Sequence, residues 1–169
     1  MTDLLESFQQ NIRNVIIVDD WMLIQFMIGD KQVQAIESLG FGKVEKVFLE
    51  FEKPFWEPGF GGIKLAWTAK DLEEKLLPRD WFKVICSFDE VHRQPSILAA
   101  WVSGREAEVM LSLSDQEIID TCTDLLRTFT SNPDMVAPVK VIRSNWIGNP
   151  LFGGSYSYHT FDSSPRSFR

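Results

Sequence analysis

The chain has 169 residues, 44% of them hydrophobic and 24% charged, and a formal net charge of -7. That composition supplies one folded domain with a core and excludes a disordered or fibrous chain. The charge balance lacks the basic footprint of a nucleic-acid binder and suits cationic partners better. Two cysteines, Cys86 and Cys122, are too few and too far apart for a disulfide framework or a metal knuckle, which points to a reducing compartment.

In chain order, Met1 to Gln10 carries Asp3 and Glu6 where a secretory signal would be basic. The apolar run Val15 to Ile28 is broken by Asp19 and Asp20 and is shorter than the ~20 residues that cross a bilayer, so it reads as core. A short helix is predicted from about Lys31 to Leu39, with Asp30 as N-cap, Val33, Ile36 and Leu39 inward, and Gly40 as its stop. Strands follow at Val44 to Phe51 and Ile63 to Thr68, then a weaker helix from Asp71 to Leu77 and strands at Trp81 to Phe88 and Ile97 to Ser103. The clearest helix runs from Ser114 to Thr130. Ser114 and Glu117 form a capping box, Ile118, Ile119, Cys122, Leu125, Leu126 and Phe129 make one apolar face, and Asp120, Thr123, Asp124 and Arg127 point outward. Asn132-Pro133 stops it, a strand follows at Val139 to Ser144, and His159 to Arg169 is a loose polar tail. Strands joined through short turns pair antiparallel, so the fold class is α+β, a largely antiparallel or mixed sheet covered by helices.

The chemistry narrows by elimination. No G-x-G-x-x-G or P-loop is present, His92 and His159 lack partners at metal-ligand spacing, and no G-x-S-x-G occurs, so a dinucleotide cradle, a metal site and a serine hydrolase are not indicated. Lys46 lies inside a strand, on the face of Phe48 and opposite Val47, Leu49 and Phe51. It is either a solvated lysine on an open sheet face or a lysine beside an aromatic in a pocket, where lost hydration lets it hold or deprotonate a water. In Arg143 to Tyr158, Trp146, Phe152, Tyr156 and Tyr158 crowd around Gly148, Gly153 and Gly154. Those rings are either core packing or, with glycine allowing close approach, a surface for a flat ring system or a cation.

The stretch Phe48-Leu49-Glu50-Phe51-Glu52-Lys53-Pro54-Phe55-Trp56-Glu57-Pro58, preceded by Lys46, resembles the flavin-containing polyamine oxidases, the spermine and acetylpolyamine oxidase group. Lys31 to Gly42, Trp101 to Met110 and Arg143 to Tyr158 resemble the same family in the same order, so the likeness spans about Asp30 to Tyr158. It implies a substrate-binding domain over residues 30–158, with a divergent segment 1–29 before it and a divergent polar tail 159–169 after it. It also implies an FAD enzyme that removes hydride from a carbon beside a polyamine nitrogen (spermine, spermidine or an acetylated form) and reduces oxygen to hydrogen peroxide. In the family, the lysine matching Lys46 holds a water near flavin N5, the tryptophan matching Trp146 lies close to the flavin, and the aromatic matching Tyr156 walls the substrate channel. Val44 and Glu45 stand where the family carries small polar residues. The family's glycine-rich FAD segment has no match here, so a partial oxidase is expected, one whose 169 residues neither bind FAD tightly nor turn over alone. The alternative is a non-catalytic module that keeps the fold to bind polyamines or another protein. An intracellular, cytoplasmic setting is expected, since Ser-Phe-Arg is not the peroxisomal Ser-Lys-Leu address.

Overall fold

A computed structural model describes residues 30–57, 59–73 and 78–161. The apolar run 15–28 and the tail beyond 161 lie outside them. Helix α1 (Asp30–Ser38) leads into β1 (Leu39–Gly42) and β2 (Val44–Glu50), followed by β3 (Gly62–Lys64), α2 (Ala69–Glu73) and a 3-10 segment (Pro78–Val84). Then come β4 (Ser87–Val91), β5 (Gln94–Ser103), α3 (Arg105–Ser112), α4 (Asp115–Thr130), β6 (Lys140–Arg143) and β7 (Tyr156–His159). Five strands form one sheet in the order β3-β4-β5-β2-β6, and β1 and β7 form a separate ribbon. All pairings are antiparallel, but only β4 and β5 are joined by a short turn; the other pairs join segments distant in sequence.

Alternation along β2 sorts the two faces of the sheet. Val47 and Leu49 are buried with Phe88, Leu98, Ala100, Val102 and Val141, while Lys46, Phe48 and Glu50 lie on the other side. The core face is covered by α3, through Ala107 and Met110, and by α4, through Ile118, Cys122 and Leu126. Helix α4 begins at its capping box: the Ser114 hydroxyl accepts from the Glu117 N–H at 3.3 Å, and the Ser114 N–H donates back to the Glu117 carboxylate at 2.9 Å. Ser114→Ala is expected to cost about 1 kcal/mol at neutral pH, read by urea unfolding. Hydrogen bonds from the Ser114 hydroxyl and backbone hold the Glu117 carboxyl below its ordinary 4.5. The box therefore contributes above that ordinary value, and its contribution is lost as pH falls through the lower folded value, so the gap between wild type and variant narrows in acid.

Several expectations are corrected. Helix α1 ends at Ser38, with Leu39 and Gly40 already in β1, and Ile36 is exposed instead of inward. Gly40 serves the ribbon, because a Cβ there would lie 2.2 Å from the Tyr158 ring. The expected strand Trp81 to Phe88 is a 3-10 segment up to Val84 and a strand only from Ser87. Trp81 and Ile85 are both buried at a four-residue spacing, so a helical period was hidden in a run of branched and aromatic residues. Helix α2 starts earlier than Asp71: the Thr68 N–H and hydroxyl donate to the Asp71 carboxylate at 3.0 and 2.6 Å, capping a helix that opens at Ala69, and residues 74–77 lie outside the described ones. Thr123 is buried in α4, its hydroxyl donating to the Ile119 carbonyl at 2.6 Å, which satisfies the one polar group it brings inward. Among the described residues no helix is long and apolar enough to cross a membrane.

Candidate functional site

Lys46 sits on the face of β2 opposite the one that α3 and α4 cover, and pairs across the ladder with Trp101 of β5. Its Nζ stands 4.3 Å from the centre of the Trp101 ring and 5.8 Å from that of Trp146. Both distances fall within the range where an aromatic face attracts a cation. Trp101 is 48% exposed, so the pair faces outward.

Trp146 reaches Lys46 because β6 leaves the sheet just before it. The β2–β6 ladder runs to the pair Val47 and Arg143, and the Ser144 N–H still donates to the Lys46 carbonyl at 3.0 Å. The returning bond differs: the Lys46 N–H donates to the Ser144 hydroxyl at 2.7 Å, not to its carbonyl. A side-chain oxygen thus replaces a main-chain one, and the backbone is released into a turn. That turn is closed by the Gly148 N–H donating to Asn145 Oδ1 at 3.0 Å and the Asn149 N–H donating to the Asn145 carbonyl at 3.1 Å. Trp146 lies inside it.

Tyr156 is elsewhere. It belongs to β7, pairs with Gly42 and rests its ring on that glycine, where a Cβ would be 3.2 Å from the ring. Tyr158 lies on Gly40 in the same way, and Phe41 returns the contact on Gly154. The close approach expected from glycine is present, but the glycines that receive the two tyrosines belong to β1. Tyr156, Tyr158 and Phe41 wall a cavity of about 590 Å³ that also includes Gly104 and Arg105 and is bordered by an ion pair between Lys43 and Glu108. Of the three positions singled out in the sequence, the fold therefore brings Lys46 and Trp146 together and sets Tyr156 in the neighbouring ribbon.

Trp101 escaped the sequence reading. Its signal lay in the alternation of Leu98, Ala100 and Val102, which turns Trp101 outward, but only the β2–β5 register places it against a lysine. Cys122 offers no nucleophile, since burial pushes its thiol up to about 12 and keeps it protonated.

Residues 21–169 match the family model described as flavin containing amine oxidoreductase. The chain is 39% identical over 137 residues to the peroxisomal N(1)-acetyl-spermine/spermidine oxidase of Homo sapiens, a match covering 76% of this chain and 26% of that protein. The Bos taurus protein of the same name is 37% identical over 139 residues, 79% of this chain and 27% of the relative. The chain thus spans about a quarter of the length of these relatives. Among solved structures, wild-type putrescine oxidase bound to putrescine superposes with a TM-score of 0.53 at 23% identity, covering 78% of this chain and 27% of that one. That likeness concerns the fold alone, an antiparallel sheet covered by helices on one face. With the family model matched along nearly the whole sequence, the chain belongs to the flavin-containing amine oxidoreductases.

Proposed function

We propose that these residues form the substrate-facing part of an FAD-dependent polyamine oxidase. The observation that carries the reading is the Lys46 ammonium set beside two indoles on the sheet face opposite α3 and α4. Support comes from the family and from the names of the two mammalian relatives, which specify acetylated spermine and spermidine.

A flavin fits this surface in kind, because indole faces offer stacking area to a flat conjugated ring and a nearby cation favours the charge that a reduced ring gains. When bound, FAD would accept hydride from the carbon beside a polyamine nitrogen and pass its electrons to oxygen, giving hydrogen peroxide. Lys46 Nζ would hold a water at the reacting edge, Trp146 would lie against the flavin, and Tyr156 would wall the approach of a cationic polyamine. Since the residues span about a quarter of each relative, we place turnover in a longer protein and expect the 169 residues alone to hold FAD weakly. The two mammalian relatives are named as peroxisomal, and a fluorescent fusion of the whole protein reports whether it shares that compartment or stays in the cytoplasm.

The test is a peroxide assay on the protein purified from its own cells, with spermine, spermidine and N1-acetylspermine as substrates. Lys46→Met is expected to lower peroxide release about 100-fold with an unchanged thermal midpoint, the size of effect a positioned proton-handling group supplies. Equal rates in variant and wild type, or no peroxide from any polyamine, overturn the reading. Spermine binding without peroxide would instead identify a polyamine-binding module.

A further inference from the structure

Glu45 is fully buried, on the core side of β2, directly before the lysine. A carboxylate in such a place is costly unless hydrogen-bonded. Both of its oxygens are engaged, and both by the same short segment: the Ser144 hydroxyl donates to Oε2, and the Ile147 N–H donates to Oε1 at 2.8 Å. Those two donors bracket Trp146. A hydroxyl has one proton and two lone pairs. Once the proton of Ser144 is committed to Glu45, a lone pair is left for the Lys46 N–H, which takes it at 2.7 Å. The carboxylate therefore orients the hydroxyl that ends the ladder and fixes the far side of the turn through Ile147.

We propose that Glu45 is a positioning residue, whose buried carboxylate clamps Ser144 and Ile147 and thereby holds the Trp146 indole against the Lys46 ammonium. Successive residues of a strand point to opposite faces, so Glu45 acts from the core side on an arrangement displayed on the open side. Trp101 needs no such clamp, because the β2–β5 ladder sets its position. The consequence for oxidation rests on the polyamine-oxidase reading. The positioning itself does not.

The experiment replaces the six tryptophans of the full chain by 5-fluorotryptophan and follows the fluorine resonances of positions 101 and 146, each assigned by its own change to phenylalanine. Lys46→Met is expected to shift both resonances. In a Glu45→Ala background the same change shifts only the resonance of position 101. Glu45→Gln, which keeps an acceptor for the Ile147 N–H, restores the response at 146. An unchanged response at 146 in Glu45→Ala overturns the proposal, and so does loss of both responses together, which would mark a general structural role. Should Glu45→Ala fail to fold, Ser144→Ala carries the comparison: loss at 146 alone is expected, and an undiminished response there overturns the proposal. No readout needs flavin or turnover, so failure here and failure of the oxidase reading are separate results.

Discussion

Truncating Phe88 to alanine is expected to cost about 3–5 kcal/mol, read as a lower urea midpoint with an unchanged slope. Phe88 is fully buried on the core face of β4, where its cross-strand partners are Ile63 on β3 and Ala100 on β5. Its partner Ala100 is small, and removing a fully buried ring from a close-packed core leaves a void. Folding free energies of single domains run to only about 5–15 kcal/mol, which makes this one change a large share of the total. Phe48 on the half-buried open face should cost clearly less when truncated, because water replaces its ring. A loss at Phe88 below about 1 kcal/mol would mean that the core repacks around the missing ring.

Arg143→Met is expected to cost about 2 kcal/mol, although the aliphatic stem is kept. The guanidinium connects β6 to the junction between two helices: Nη1 donates to the Leu113 carbonyl at 2.8 Å and lies 3.4 Å from the carbonyls of Met110 and Leu111. These lie at and just beyond the end of α3, where the Met110 carbonyl also accepts the Leu113 N–H at 3.2 Å. Nη2 also donates to Asp115 at 2.7 Å, but that carboxylate is 63% exposed, and exposed ion pairs contribute at most about 1 kcal/mol. Asp115→Asn should therefore cost less than about 0.5 kcal/mol. Comparable losses in the two variants would show that the ion pair, not the capped helix end, holds the junction.

What the sequence discloses here depends on how local the cause is. The capping box at Ser114 and the alternation of β2 operate within a few residues, and both place their elements, including the face on which Lys46 lies. The segment Trp81 to Ile85 misleads because branched and aromatic residues suit a strand and a buried turn alike, and packing against α3 decides between them. Gly40 reads as a helix stop because nothing nearby in sequence reveals that a tyrosine ring from β7 lands on it. The arrangement around Lys46 follows the same division: its face is local, whereas Trp101, Trp146 and the buried Glu45 reach it only through registers and turns that join distant segments.

The ribbon of β1 and β7 has a consequence for how such a unit can be carried. Leu39 pairs with His159, and beyond that pair the Thr160 hydroxyl donates to the Ser38 carbonyl at 2.6 Å, so the two ends of the segment 38–160 lie side by side. A module tied at its neck in this way can be spliced into a surface loop of a host with little distortion, since the host strands need not part to admit it. The stem then ties that segment to its host at a narrow neck, and the angle of the stem turns the face that carries Lys46.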